Sequence, residues 1–295
     1  MATSPRPTCA LTIAGSDSSG GAGIQADLKT FAAHGVHGLS AIAALTAQNT
    51  RGVTAIHVPP PAFLRAQLEA CFADFRIGAI KIGMLASAPV IRTVAAVLAE
   101  HPRVPVVLDP VMVASSGATL LDPAALDALR ELLLPRATLL TPNIPEAELL
   151  LGHAIANAEA AEAALVELLA LGPAAVLLKG GHLPGRGELV DRYDDGGLFA
   201  EFVHPRLRVR GHGTGCTLAS AIAANLCRGL SLPRACAEAT DYVHGALAAS
   251  YRPGRAPLAV LDHAWEVRRP GPSGIGHDKN LAPPAPTRAR RPRSG

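Results

Sequence analysis

Between Gly211 and Thr217 the chain reads Gly-His-Gly-Thr-Gly-Cys-Thr, and it runs straight into Leu218, Ile222 and Leu226, an apolar stripe at four-residue spacing. A glycine-rich turn that feeds a helix aims consecutive backbone N–H groups, here those of Gly213, Thr214, Gly215 and Cys216, at one anion. A phosphoryl group in transfer is such an anion, and moving it demands positioning and charge stabilisation more than covalent chemistry. Cys216 falls in the first turn of that helix. There the positive end of the dipole lowers a thiol pKa below its free value of about 8.5, which makes Cys216 a candidate base; a buried, inert thiol is the other reading.

Other polar residues have types and spacing that fit the same chemistry. Asn143 and Glu146 stand three apart at a strand-to-helix junction, from which an oxygen ligand can hold hydrated magnesium against nucleotide phosphates, although Asn143 alone is also a helix cap. Asp109 can join that metal shell. Lysine is scarce, with Lys29, Lys81, Lys179 and Lys279 the only four, and Lys179 precedes two glycines at the end of an apolar run, which points to a phosphate contact. The early segment Gly15-Ser-Asp-Ser-Ser-Gly-Gly-Ala-Gly23 holds four glycines in its loop but lacks the Gly-x-x-x-x-Gly-Lys-Ser/Thr phosphate cradle, and Gly21-Ala22-Gly23 is only half of a dinucleotide fingerprint. Asp27 follows it, equally readable as a solvated first-turn carboxylate.

These residues need elements to hold them. Short β-type runs at 10–14, 39–45, 79–82, 104–108, 138–141 and 175–179 alternate with helical patterns at 62–72, 89–100, 123–134 and 157–171, which predicts a mainly parallel sheet covered by helices. In such a sheet ligands bind beyond the carboxyl ends of the strands. That is where Gly15 to Gly23, Thr46 to Asn49, Gly83-Met84, Asp109-Pro110, Asn143 and Lys179 all fall. Asp194-Asp-Gly-Gly197 between two β-type runs, 190–193 and 198–203, predicts an antiparallel edge hairpin. Helices are expected at 215–228 and from Pro233 to about Ser250.

Composition bounds what the chain does. At 295 residues and 49% apolar content it is long enough for a sizeable core. From Arg268 onward there are six Arg, one Lys and one Asp, a net +6, so the formal +3 of the whole chain leaves about −3 on the body. The basicity belongs to a Pro/Arg tail without apolar periodicity rather than to a folded face, which argues against nucleic acid as a partner. Five cysteines, Cys9, Cys71, Cys216, Cys227 and Cys236, without C-x-x-C spacing predict neither disulfides nor zinc and fit a reducing, cytoplasmic setting. No basic leader and no apolar run of about 18 residues predict neither export nor membrane insertion. The expected organisation is a disordered start at 1–8, one α/β domain at 9–267 and a disordered tail at 268–295.

Taken together, the motifs resemble the bacterial hydroxymethylpyrimidine/phosphomethylpyrimidine kinases of the ribokinase-like superfamily. The resemblance covers about residues 9–262 and rests on Ala14-Gly-Ser-Asp-Ser-Ser-Gly-Gly-Ala-Gly-Ile-Gln-Ala-Asp27, Thr46-Ala-Gln-Asn-Thr50, Lys81-Ile-Gly-Met84, Leu108-Asp-Pro-Val-Met112, Thr141-Pro-Asn-x-x-Glu146, Leu178-Lys-Gly-Gly-His182 and His212-Gly-Thr-Gly-Cys-Thr217. It implies a three-layer α/β/α fold, a homodimer, and use of ATP and magnesium to phosphorylate an aminopyrimidine hydroxymethyl group and then its monophosphate. It also implies that Asp27 and Gln48 hydrogen-bond the ring, that Ala22, Met84 and Val111 pack on it, that Lys179, Asn143 and Thr214 meet the ATP phosphates, that Asp109 and Glu146 hold the metal, and that Cys216 takes the place of the base. Two departures stand out: Arg208-Val-Arg-Gly211, where such kinases more often have Thr-x-Asn-Thr, and Ala114-Ser-Ser-Gly117, which lacks a lysine after the alanine. A pyridoxal-type vitamin kinase and a non-catalytic pyrimidine-binding protein are the alternatives, and a nucleotide-binding oxidoreductase lacks its complete Gly-x-Gly-x-x-Gly.

Overall fold

The computed structural model describes residues 7–112, 123–183 and 187–268, together with Arg288–Arg290. The strands, in chain order, are β1 (Cys9–Gly15), β2 (His37–Asn49), β3 (Gly52–His57), β4 (Ile77–Ile82), β5 (Val106–Leu108), β6 (Leu139–Leu140), β7 (Val176–Leu178), β8 (Glu188–Asp194), β9 (Phe199–Pro205), β10 (Gly211–His212), β11 (Ala259–Val260) and β12 (Arg288–Arg290). Ten of them form one sheet in the order β12-β9-β8-β7-β6-β5-β4-β1-β2-β3, and β10 pairs with β11 apart from it. Pairing is parallel from β2 through β1, β4, β5 and β6 to β7, and antiparallel at both flanks. The predicted hairpin is β8 with β9. Of the tail from residue 268, the structure describes Arg268 and β12, which pairs with Phe199 to Glu201 of β9; the rest of the tail, residues 1–6 and the Ala114 to Gly117 departure lie outside the described residues.

Side chains alternate across the sheet with period two and meet two different helix layers. Leu11, Ile13, Ile80, Ile82, Val106, Leu108, Val176 and Leu178 face one core, under α2 (Pro61–Asp74), α3 (Ala88–Glu100), α4 (Pro123–Ala128), α5 (Ile144–Leu151) and α6 (Ala158–Ala170). Ala10, Ala79, Val107, Leu139 and Leu177 face the other, under α1 (Gly23–Ala33), α7 (Thr214–Cys227) and α8 (Leu232–Ala248), with the four-residue α9 (Trp265–Arg268) beyond. This is the expected three-layer α/β/α arrangement. The small alanines on the strands, and Ala219, Ala221, Ala223 and Ala224 on α7, all fully buried, let α7 lie close to the sheet. Asn157 caps α6, its side chain accepting the Ala160 N–H at 2.9 Å.

The second β-type run extends further than its apolar residues suggest. β2 continues through Gln48 to Asn49 because β3, which the sequence pattern did not announce, pairs antiparallel with it, with a bulge between Ala47 and Gln48. Gln48 therefore sits on a strand and not in a loop. Among the described residues no helix is long and apolar enough to cross a membrane.

One polar cluster lies inside the α1/α7 layer. Thr12 and Lys81 occupy strand positions that face the helices, and both are fully buried. The carboxylate of Asp27, from α1, accepts from Thr12 Oγ1 at 2.6 Å, Lys81 Nζ at 2.9 Å and Ser220 Oγ of α7 at 2.7 Å. Burial alone would drive Lys81 toward its neutral form, but the Asp27 carboxylate, with Cys216 and Asp109 nearby, keeps it an ammonium with a pKa above the ordinary lysine value. Replacing Asp27 with alanine strands that ammonium, and chemical denaturation is expected to show a loss of about 3–5 kcal/mol. Pairing Asp27→Leu with Lys81→Met should recover much of it; a single Asp27→Ala change costing less than about 1 kcal/mol would contradict the buried pair.

Candidate active site

The carboxyl ends of β1, β4, β5 and β7 and the start of α7 open into one cleft of about 840 Å³. The strand order reverses between β4 and β1, the position at which open parallel sheets bind ligands. Ala22, Gln48, Met84, Asp109, Val111, Asn143, Glu146, Lys179, Gly213, Thr214, Gly215 and Cys216 all line this cleft, so nearly the whole predicted site is gathered there.

At the start of α7, Gly213 is the N-cap with φ +84° and offers no side-chain cap. A side chain there is barred twice, by the left-handed backbone and by the Gly21 carbonyl, which an added Cβ would strike. The first intrahelical bond runs from Thr217 N–H to the Gly213 carbonyl at 2.9 Å, which leaves the N–H groups of Thr214, Gly215 and Cys216 without intrahelical acceptors. A methyl group on Gly215 would stand 3.1 Å from Lys179 Nζ and 3.4 Å from Asp109 Oδ2. The helix start and this ion pair therefore share one small volume.

Lys179 donates to Asp109 Oδ1 at 2.7 Å and lies 3.7 Å from Glu146 Oε2. Burial works against its charge, but the two carboxylates outweigh burial and hold its pKa above the ordinary lysine value. Burial and the neighbouring Asp109 raise Glu146 to about 7, with Lys179 pulling the other way. Asn143 and Glu146 form a capping box at the start of α5: Asn143 Oδ1 accepts the Glu146 N–H at 2.9 Å and Glu146 Oε2 accepts the Asn143 N–H at 2.8 Å. The cap reading of Asn143 is thus realised in the fold, while Glu146 keeps a face toward Lys179. Among the described residues no set of three His, Cys, Asp or Glu side chains converges as a metal centre. Asp109 and Glu146 do fit a hydrated magnesium ion, which needs only one or two carboxylates when phosphates and waters complete its shell.

Two site residues sit differently from their reading in the sequence. Asp27 is not a solvated first-turn carboxylate: it is fully buried, and Thr12, Lys81 and Ser220 donate to its oxygens, which places it behind the cleft wall. The thiol of Cys216 is raised to about 11, not lowered, because burial dominates and the Asp27 and Asp109 carboxylates add to it, against the opposing pull of Lys81 and the Gly23 N–H. A helix N-terminus is too weak a field to offset that desolvation.

Two further residues of the site, Asp17 and Arg206, went unrecognised in the sequence. Asp17, 1% exposed, is the organiser of the first loop: it accepts from Ser19 N–H at 2.8 Å, Ser19 Oγ at 2.7 Å, Gly21 N–H at 3.0 Å, Ala22 N–H at 2.8 Å and His212 Nε2 at 2.9 Å. Burial would raise its pKa, but His212, Ser19 and Ala22 hold it well below the usual carboxylate range. The bond to Ser19 N–H is an Asx turn, and Asp17-Ser18-Ser19-Gly20 is the sequence signal for it. In the Arg206 to Arg210 stretch, Arg206 donates to the carbonyls of Gly181 at 2.8 Å and Leu183 at 3.2 Å, and Arg210 lines the cleft.

The family described as phosphomethylpyrimidine kinase has a sequence model that matches residues 17–260. The chain is 52% identical over 261 residues to the thiamine biosynthesis bifunctional protein ThiED of Geobacter sulfurreducens, a match that covers 88% of this chain and 53% of that protein, so the chain spans about half its length. It is 48% identical over 263 residues to the hydroxymethylpyrimidine/phosphomethylpyrimidine kinase of Rhizobium meliloti, covering 87% of this chain and 98% of that one. Among solved structures, it is similar to the pyridoxal kinase of Staphylococcus aureus in complex with AMP-PCP and pyridoxal, with a TM-score of 0.82 at 31% identity over 90% of this chain and 96% of that one.

A carboxylate whose pKa falls on folding contributes stability above its unfolded value of about 3.9 and loses it as pH drops toward the folded value. Asp17→Asn is therefore expected to lower stability at neutral pH by roughly 1–3 kcal/mol, with the gap from the parent protein closing below about pH 4. Urea titrations at neutral and acid pH give both numbers; a gap that is constant with pH would contradict the account of Asp17.

Proposed function

The chain belongs to the phosphomethylpyrimidine kinase family, and from that membership we propose that it is an ATP-dependent kinase of thiamine biosynthesis, phosphorylating the hydroxymethyl group of 4-amino-5-hydroxymethyl-2-methylpyrimidine and then its monophosphate. The observation that carries this reading is the Lys179–Asp109 pair standing over the open first turn of α7, where a methyl group on Gly215 would be 3.1 Å from the ammonium. N–H groups of Thr214, Gly215 and Cys216 and the Lys179 ammonium are suited to hold the phosphoryl group as its negative charge redistributes. Gln48, with Ala22, Met84 and Val111, offers an amide between apolar walls for the ring at the other end of the cleft.

Transfer forms a bond from the hydroxymethyl oxygen to the γ-phosphorus, breaks the bond from that phosphorus to the ADP oxygen, and releases the hydroxyl proton. Cys216 is the proposed acceptor for that proton. With a thiol pKa of about 11 its base form is scarce at neutral pH and grows as pH rises. A loose transition state asks for little deprotonation before bond making, which suits a reluctant base. Asp109 and Glu146 are the proposed magnesium ligands; the ion would draw charge from the phosphate oxygens when bound.

A homodimer is proposed on the outer strand of the sheet. Among the described residues β3 is an unpaired edge, and Leu45 and Ile56 at the same end of the sheet are 43% and 41% exposed, an apolar edge that a second copy can cover. The free thiols of all five cysteines support a cytoplasmic location. Pyridoxal phosphorylation is the second reading, favoured by the resemblance in fold to the Staphylococcus aureus enzyme.

ADP release should depend on the hydroxymethylpyrimidine, and Cys216→Ala should lower kcat by about a hundredfold while flattening its rise between about pH 7 and 9. Turnover with pyridoxal or pyridoxine alone would overturn the substrate assignment, binding of pyrimidine without turnover would make the protein a non-catalytic binder, and a near-normal kcat in the alanine variant would remove the base role. Sedimentation should give the mass of two chains, reduced to one by Ile56→Asp; a monomeric parent protein contradicts the dimer.

A further inference from the structure

His212 lies between the first loop and β2, with its side chain only 7% exposed. Its Nε2 is 2.9 Å from Asp17 Oδ2 and 3.2 Å from Gln48 Nε2, while its Nδ1 is buried with no hydrogen-bond partner among the described residues. A buried ring nitrogen without a partner is tolerated as a lone pair far better than as an N–H, so the ring proton belongs on Nε2, where the Asp17 carboxylate accepts it. Nε2 then has no lone pair to offer Gln48. An amide nitrogen facing it would set donor against donor.

The other end of the Gln48 amide makes the same demand. Thr46 Oγ1 gives its single proton to the Ser16 carbonyl at 2.8 Å, and the lone pair left over faces the second terminal atom of Gln48 at 3.2 Å. That atom must donate. The two neighbours therefore require Gln48 Oε1 toward His212 and Gln48 Nε2 toward Thr46, half a turn about the Cγ–Cδ bond from the reverse arrangement.

We propose that Asp17 and His212 are positioning residues that lock the Gln48 amide in this orientation and thereby select an acceptor ring carrying an exocyclic amino group directly beside an unprotonated ring nitrogen. The inference rests on the proposed contact between Gln48 and the ring. With the amide locked, Oε1 accepts from the amino group and the remaining Nε2–H donates to the ring nitrogen, a paired contact whose order cannot be reversed by rotation. A 3-hydroxypyridine has no nitrogen bonded to its hydroxyl-bearing carbon and forms at most one of the two. The bulge at Gln48 and the five donors around Asp17 hold both ends of the relay rigid.

Nitrogen NMR of protein labelled at histidine tests the lock without any substrate: His212 should show the Nε2–H tautomer, and an Nδ1–H tautomer overturns the proposal whatever the enzyme phosphorylates. In steady-state kinetics, His212→Leu should raise KM for the hydroxymethylpyrimidine by on the order of tenfold or more, with a smaller change in kcat and a matching fall in preference for it over pyridoxine. His212→Gln, whose amide N–H groups can reach the same oxygens, should recover most of both. An unchanged pyrimidine KM and preference in the leucine variant, or a glutamine variant no better than leucine, contradicts the positioning role. The predicted tautomer in an enzyme that phosphorylates no pyrimidine contradicts the substrate reading, and the selecting role of the relay falls with it.

Discussion

The Asp27 carboxylate is the point on which the arrangement of the cleft depends. It binds Thr12 of β1, Lys81 of β4 and Ser220 of α7 from its own place on α1, so four elements meet at one fully buried group. Taking two charges out of water costs several kcal/mol per ion, and such a pair survives only when every lone pair and proton finds a partner. That requirement allows little freedom in how α1 and α7 sit on the sheet. Because α7 is held there, its first turn opens at the strand-order reversal, and because α1 is held beside it, Gly23 and the loop before it close against the same turn.

Charge in the cleft follows from that frame. Its two lysines are each matched by carboxylates, Lys81 by Asp27 and Lys179 by Asp109 and Glu146. Neither is a loose cation that would trap any passing anion. The N–H groups of α7 and the Lys179 ammonium come together at Gly215, and the proposed phosphoryl transfer uses this convergence. A second frame, Asp17 with His212, ties the first loop to the segment that leads into α7.

Much of this was readable from residues in order along the chain. The alternation of apolar runs with helical stripes gave the layers, and the glycines before Thr214 announced the open helix start because their meaning is local. The properties that escaped are set by partners distant in sequence. Asp27 reads as a solvated first-turn carboxylate until Lys81, 54 residues on, is found buried beside it. Asp17 and His212 are 195 residues apart, and no periodicity joins them. β3 was missed because it is the exposed outer strand of the sheet, where its burial pattern lacks the alternation of a half-buried strand. The Cys216 thiol shows the same limit: its place at a helix start is local and legible, whereas the burial that overrides the dipole belongs to the packed cleft.

Phosphorus NMR of the purified chain with ATP, the hydroxymethylpyrimidine and magnesium observes the proposed transfer itself. Loss of the γ-phosphate resonance is expected together with the appearance of a phosphomonoester on the pyrimidine, followed by the two coupled resonances of its diphosphate. Conversion of ATP to ADP and free phosphate alone, with no phosphorylated pyrimidine formed, would contradict it.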